Sequence, residues 1–244
     1  MTGVLVITGA SRGIGAATAR LAAAKCWRVV GSYKERQGPA EGVVAAIAAA
    51  GGQAIAVQAD TSREKDVVRL FDTAEQRYGP VTCLVNNAGI NGGPVRVADM
   101  TTAELREMID TNVFGAFLRA REAVRRMSTD RGGSGGAIVN MGSVAERLGS
   151  PGERVHYAAS KGAIIAMTTG LGREVARDGV RVNCVSPRLT ETEMNPADRL
   201  ARLIPSVPIG RVAAPDEIAR AIMFLLSDDA SYMTGINMTV SGGR

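Results

Sequence analysis

The most constraining feature of this chain is a glycine-rich turn near its start. The apolar run Val4-Leu5-Val6-Ile7-Thr8 leads directly into Gly9-Ala10-Ser11-Arg12-Gly13-Ile14-Gly15, and a helical pattern follows with Ile14, Ala17, Leu21 and Ala24 on one side. This reads as a buried strand, a tight turn and a helix. Such a turn places backbone N–H groups at a helix N-terminus, where unpaired donors and the helix dipole favour a pyrophosphate. The spacing is G-x-x-x-G-x-G, not the commoner G-x-G-x-x-G. A tight strand-to-helix turn that holds no ligand is the plain alternative.

The chain then alternates. A second strand, Arg28 to Ser32, ends in Gly31-Ser32-Tyr33-Lys34, and a helix around Glu41–Ala50 stops at Gly51-Gly52. A strand from Gln53 to Ala59 runs into Asp60, a helix carries Val67, Phe71, Ala74 and Tyr78, and a strand from Val81 to Val85 ends in Asn86-Asn87-Ala88-Gly89. Strand and helix in alternation predict an α/β fold, a doubly wound parallel sheet with helices on both faces. Ligands on such sheets bind beyond the C-terminal strand ends, where Gly9, Lys34, Asp60 and Gly89 all fall. An acid at the end of the second strand would bind a ribose 2′-hydroxyl, whereas a base accommodates a 2′-phosphate. Lys34 stands there, Arg12 lies in the first turn, and Glu35 is the nearest acid, which predicts NADP(H) over NAD(H). The alternative for Lys34 is a solvated loop charge.

The second half carries the groups for proton chemistry. One helix is predicted from Thr102 to about Met127, with Leu105, Met108, Ile109, Val113, Ala116, Phe117 and Ala120 as its apolar stripe and Asn112 inside it. A buried amide needs partners; it either ties the helix to a strand end or anchors a water in a proton relay. The apolar run Ala137–Met141 is followed by Gly142-Ser143, a polar loop over 144–155, and Tyr157-Ala158-Ala159-Ser160-Lys161. Tyrosine and lysine at this spacing share a helix face, and a nearby ammonium favours the phenolate. Ser143, Tyr157 and Lys161 suffice to move a proton to or from an alcohol or carbonyl oxygen. After a strand from Val180 to Val185, residues 188–210 lack periodicity and contain Pro196, Pro205 and Pro208, which reads as a substrate lid. Pro215-Asp216-Glu217 opens the last helix, and Ile236–Val240 is the final strand. With no repeat and no linker, a single domain is expected over residues 1–244.

Composition excludes several other classes. The net charge of +5 is scattered and aromatics are only 4%, which argues against nucleic-acid binding. The single histidine, His156, excludes a histidine-rich metal centre. Cys26, Cys83 and Cys184 are far apart and odd in number, and the last two sit in apolar runs as small buried hydrophobes. No apolar run reaches membrane-spanning length and no cleavage signal is seen, so a soluble, cytoplasmic protein is expected.

Together these pieces resemble the short-chain dehydrogenase/reductases over essentially the whole chain. The matching residues are Thr8-Gly9-Ala10-Ser11-Arg12-Gly13-Ile14-Gly15, Asp60, Asn86-Asn87-Ala88-Gly89, Asn112, Ser143, Tyr157 with Lys161, and Pro187 with Thr190. The resemblance implies a catalytic tetrad of Asn112, Ser143, Tyr157 and Lys161. Tyr157 would be the general acid/base, and Ser143 would hold the substrate oxygen. Lys161 would bind the nicotinamide ribose and favour the phenolate of Tyr157, and Asn112 would hold a relay water. Gly9, Ser11, Arg12, Ile14 and Gly15 would hold the pyrophosphate and adenosine side, with Ser32, Tyr33 and Lys34 at the second strand end. Asp60 would meet the adenine, Asn86, Ala88 and Gly89 the ribose and cofactor backbone, and Thr190 the nicotinamide amide. The resemblance also implies a seven-stranded sheet, a small carbonyl or alcohol substrate, and a homotetramer or homodimer.

The chain departs from the family pattern at three points. Arg188 stands where the family usually has glycine; it strains the turn if that glycine supplied a positive φ, or it faces the phosphates or the substrate. Ser143 and Tyr157 are fourteen residues apart, one more than is commonest. Gly142 replaces a frequent second serine. For the specific activity, the resemblance reaches both 3-oxoacyl-carrier-protein reductases and sugar or polyol dehydrogenases. Arg125, Arg126 and Arg173 either form a solvated helix face or would dock an acidic carrier, and Glu146, Arg147, Glu153 and Arg154 would line a sugar pocket. A non-catalytic NADP-binding redox sensor is the remaining alternative.

Overall fold

In the computed structural model, which describes residues 3–243, seven strands form one parallel sheet in the order β3-β2-β1-β4-β5-β6-β7. Residues 1, 2 and 244 of the expected 1–244 span lie outside the described residues. The strands are β1 (Val4–Ile7), β2 (Arg28–Tyr33), β3 (Gln53–Gln58), β4 (Val81–Asn86), β5 (Gly136–Met141), β6 (Val180–Pro187) and β7 (Asn237–Val240). The helices are α1 (Gly13–Ala24), α2 (Gln37–Ala49), α3 (Glu64–Tyr78), α4 (Thr102–Ile109), α5 (Gly115–Met127), α6 (Ala145–Leu148), α7 (Val155–Glu174), α8 (Ala197–Leu203) and α9 (Pro215–Leu226).

Successive strand side chains point to opposite faces, and each face has its own core. Leu5, Ile7, Val29, Val85 and Val139 pack with Ala19 and Ala22 of α1, Ile47 of α2, and Ile218 and Ile222 of α9. Val4, Val6, Val30, Leu84 and Ile138 pack with Leu70 and Phe71 of α3 and with Leu118 and Met127 of α5. Because both faces are covered, the strands read as continuous apolar runs. Cys83 and Cys184 are fully buried in β4 and β6, and burial pushes their thiols up to about 12 and about 11. Cys26 is exposed. Among the described residues, no helix is long and apolar enough to cross a membrane.

Four details differ from the sequence expectation. In α1, Ile14 and Leu21 are partly buried and Ala24 is exposed, while Gly15 to Ala19, Ala22 and Ala23 are buried. These small residues let α1 sink between the sheet and α9, so its buried face is broader than a single stripe. Helix α2 begins at Gln37, ahead of the expected Glu41. The helix expected over 102–127 is interrupted by a π-helical turn, Asp110–Phe114. The extra residue changes the phase of the helix: Met108 and Asn112 are buried, whereas Leu105, Ile109 and Phe117 are 44%, 39% and 52% exposed. Finally, residues 188–210 contain α8 and a small apolar cluster of Leu189, Leu200 and Val207.

The two cores set the stability of the sheet. Phe71 is fully buried in α3, whereas the Tyr232 side chain is fully exposed. Phe71→Ala is expected to cost about 3–5 kcal/mol and Tyr232→Ala less than about 0.5 kcal/mol, read by urea denaturation.

Candidate active site

The strand order reverses between β1 and β4, and the segments leaving these two strands diverge around a crevice at their C-terminal ends. Side chains bind the two segments together. Thr8 is fully buried, and its Oγ1 accepts N–H bonds from Asn87 and Ala88 at 3.1 and 3.0 Å. The Asn87 amide donates back to the carbonyls of Thr8 and Gly9 at 2.8 and 3.0 Å. Gly9 turns the chain with φ +69°, and a Cβ on Gly15 would lie 2.3 Å from the Gly9 carbonyl oxygen and 2.8 Å from Asn87 Nδ2. Only glycine permits this approach. It brings the first turn of α1, with its unpaired N–H groups, to the edge of a cavity of about 460 Å³.

This cavity gathers most of the sequence-predicted residues. Gly9, Ser11, Arg12, Ile14, Gly15, Ser32, Tyr33, Lys34, Asp60, Ala88 and Gly89 line it, and so do Ser143, Tyr157, Lys161 and Thr190. Asn86 and Asn112 do not line it. The Asn86 amide lies inside the fold, donating to Ala116 O at 3.0 Å and Asn140 Oδ1 at 3.1 Å. Its neighbour Asn87 lines the cavity instead. Arg36 and Glu193 also line it and carry no role in the sequence reading. Arg36 lies two positions beyond Lys34, so the basic strand end was a usable signal. Glu193 gave no such signal, because it arrives from the segment after β6.

The end of the cavity that holds Ser143, Tyr157 and Lys161 is built on α7 and the C-terminal end of β5. Tyr157 and Lys161 are one helical turn apart in α7, and Lys161 Nζ lies 5.6 Å from the centroid of the Tyr157 ring. Lys161 is buried, and its Nζ donates to the Met141 carbonyl at the end of β5 at 2.8 Å. Ser143 Oγ accepts the N–H of Ala145 at 3.1 Å. The Asn112 side chain is paired within the fold: Nδ2 donates to Ile90 O at 2.8 Å and Ser160 Oγ at 3.1 Å, and Oδ1 accepts Ile90 N–H at 2.8 Å. The amide thus ties the π turn to the segment after β4 and to α7.

The other end is charged. Lys34 Nζ lies 3.2 Å from Asp60 Oδ2. Burial raises the Asp60 carboxyl, but hydrogen bonds from the Ser62 hydroxyl and N–H, together with Lys34, outweigh it and hold the group below its ordinary value. Arg12 and Arg36 both bind the Glu193 carboxylate, Arg36 at 2.7 Å. Thr190 supplies a different signal. Its hydroxyl is buried in the cavity wall with no hydrogen-bond partner among the described residues. A buried orphan hydroxyl fits an incoming polar group. The glycine cradle, the cations and this hydroxyl together fit a nicotinamide dinucleotide. Among the described residues no cluster of His, Cys, Asp or Glu could hold a metal ion.

The departures from the family pattern have physical accounts. Only Cys26 and Ser150 among the described non-glycine residues have positive φ, so Arg188 imposes no left-handed strain. Its N–H donates to Val240 O at 3.2 Å, and the residue lines the cavity. A Cβ on Gly142 would lie 2.4 Å from Ser186 Oγ and 2.7 Å from Cys184 Sγ, so a second serine does not fit there. The lengthened loop folds into α6 and a turn with Gly149, Ser150 and Gly152 at positive φ. Glu146, Arg147, Glu153 and Arg154 do not line the cavity. Arg126 is largely buried and committed to Asp72, Glu75 and Glu122.

Comparison with known proteins agrees with this geometry. A family profile described as Enoyl-(Acyl carrier protein) reductase matches residues 9–244. The uncharacterized oxidoreductase YgfF of Escherichia coli is 47% identical over 99% of each chain. A 3-oxoacyl-[acyl-carrier-protein] reductase of Synechocystis is 37% identical, covering 98% of this chain and 96% of its own. Glucose 1-dehydrogenase 2 of Bacillus subtilis is 34% identical, covering 98% and 93%. The solved short-chain dehydrogenase/reductase from Serratia marcescens superposes with a TM-score of 0.93 at 31% identity, over 99% of this chain and 97% of that one.

Asn112→Ala would take their side-chain partner from the partly buried N–H and carbonyl of Ile90. It is expected to cost about 2–4 kcal/mol of unfolding free energy, measured by urea denaturation.

Proposed function

The chain belongs to the short-chain dehydrogenase/reductase family, and within it we propose an NADP(H)-dependent oxidoreductase that interconverts a carbonyl and a secondary alcohol. The observation that carries this reading is one cavity that joins the glycine turn at one end to Ser143, Tyr157 and Lys161 at the other. When bound, the nicotinamide supplies or takes up the hydride. Tyr157 gives its phenolic proton to the carbonyl oxygen in reduction and removes it from the alcohol in oxidation. Ser143 donates a hydrogen bond to that oxygen and fixes its position. The Lys161 ammonium, held by the Met141 carbonyl, stands beside the Tyr157 ring and hydrogen-bonds the nicotinamide ribose. Asn112 is a positioning residue, because its amide holds Ile90 and Ser160. Thr190 offers its unpartnered hydroxyl to the nicotinamide amide.

The preference for NADP(H) is supported by three cations near the end of β2, namely Arg12, Lys34 and Arg36. A redox sensor would need the cofactor cradle but not the serine, tyrosine and lysine beyond it, which favours the enzyme. The relatives include proteins named as a 3-oxoacyl-carrier-protein reductase and a glucose dehydrogenase. The sugar-pocket residues lie off the cavity and Arg126 of the carrier-docking set is internally paired, so we keep the substrate at the class of small carbonyls and secondary alcohols. Residues 188–210 act as the lid of a single catalytic domain. Exposed Ile109, Phe114 and Phe117 on one helical surface support association into a homodimer or homotetramer, and a cytoplasmic site of action suits this chemistry.

The reading is tested with a panel of carbonyls and alcohols, each followed by cofactor absorbance with NADPH/NADP and NADH/NAD. Tyr157→Phe is expected to lower kcat by about 10²–10⁴-fold and to leave the Kd for NADPH within about twofold; unchanged turnover would sink the role of Tyr157. Lys34→Ala and Arg36→Ala are each expected to raise the Kd for NADPH by roughly tenfold and to leave NADH nearly unaffected. Equal effects on both cofactors would refute the phosphate preference.

A further inference from the structure

The segment after β6 crosses the cavity mouth and is held at both ends by charged pairs. At one end the Glu193 carboxylate oxygen Oε2 receives Arg12 and Arg36, the latter at 2.7 Å. These two arginines come from different elements, the glycine turn and the end of β2. Beside this contact, Asn91 Nδ2 donates to Met194 O at 2.9 Å. At the other end, Arg199 and Arg202 approach Glu153, on the loop ahead of α7, at 3.4 and 3.5 Å. Lys34 has its own carboxylate, Asp60.

One carboxylate shared by two converging guanidinium groups mimics a bound anion. We propose that Glu193 is a built-in competitor for the cofactor's 2′-phosphate: it occupies the Arg12–Arg36 site, holds residues 190–196 over the cavity, and is displaced when that phosphate binds. The proposal rests on the NADP(H) reading and adds to it a contact between cofactor recognition and the lid. A phosphate carries up to two negative charges and three acceptor oxygens, so it outcompetes a single carboxylate for the same donors. Once seated, it repels Glu193, and the lid loses its ion-pair tie at this end, leaving the Asn91–Met194 hydrogen bond there. A cofactor with a free 2′-hydroxyl offers no such exchange and leaves the pair intact.

The latch is built to break. The side chains of Arg12, Arg36 and Glu193 are 40%, 51% and 55% exposed, and exposed pairs are weak and exchange readily. Arg12 and Arg36 hold the Glu193 carboxyl below its ordinary value. The carboxylate therefore stays ionised through the neutral range, and anions rather than pH release it.

The test compares wild type with Glu193→Gln, using NADPH, NADH and adenosine 2′,5′-bisphosphate in calorimetry and amide hydrogen exchange on the full chain. Loss of the competitor is expected to tighten NADPH and the bisphosphate by about threefold to tenfold, with NADH changed by less than about twofold. In wild type the bisphosphate raises amide exchange over residues 190–196; in Glu193→Gln that exchange is already raised without ligand. If the bisphosphate binds both proteins equally and their exchange is the same, the role of Glu193 is overturned while the NADP(H) reading stands. If the bisphosphate binds neither protein, the NADP(H) reading fails and this proposal fails with it.

Discussion

The site depends on the joint between β1 and β4. These strands are neighbours in the sheet, yet the segments that follow them diverge. Thr8 and Asn87 hold the diverging segments together through four hydrogen bonds, all between 2.8 and 3.1 Å. The joint is buried or partly buried, and a backbone group left unpaired there would cost about 1–3 kcal/mol. With the joint in place, Gly9 and Gly15 can approach each other, and the N-terminus of α1 faces the cavity. Without it there would be two loops and no common floor.

A second tie has an unusual character. Arg119 of α5 is fully buried, and no carboxylate among the described residues forms a salt bridge or hydrogen bond with it. Its guanidinium donates to Thr61 Oγ1 at 2.6 Å and to Ala88 O at 3.3 Å. Burial alone pushes this group down to about 9, which still leaves it cationic at neutral pH. It links the end of β3 to the segment after β4, and Thr61 and Ala88 both line the cavity. The protein thus sets an uncompensated positive charge just behind the wall of a cavity already rich in cations. Such a field favours an anionic occupant.

Much of this was readable from the order of residues. Strand and helix alternation, the glycine turn and the Tyr157–Lys161 spacing are local patterns, and the fold keeps all three. The sequence reading went astray where phase or partner choice decides the outcome. The apolar stripe over 102–127 treats one helix as continuous, but a π turn interrupts it, and Leu105 and Ile109 before that turn and Phe117 after it are exposed. Asn86 and Asn87 are equivalent as neighbours in a motif. The pleat sends one amide into the fold and leaves the other at the cavity. Gly142 appeared as an anomaly until Ser186 and Cys184 were seen to fill the space its side chain would need.

By itself the sequence determined the architecture, because apolar period and turn chemistry act over a few residues. It also determined that a glycine-rich strand-to-helix turn and a Tyr157–Lys161 pair one helical turn apart exist in the same chain. The tertiary structure alone decided which charges meet. Glu193 lies 181 residues from Arg12 and 157 from Arg36, and Glu153 meets Arg199 across 46. Pairings at such separations follow from how β6 and its trailing segment fold back over the glycine turn. No local pattern encodes that path, since it results from the packing of the whole sheet.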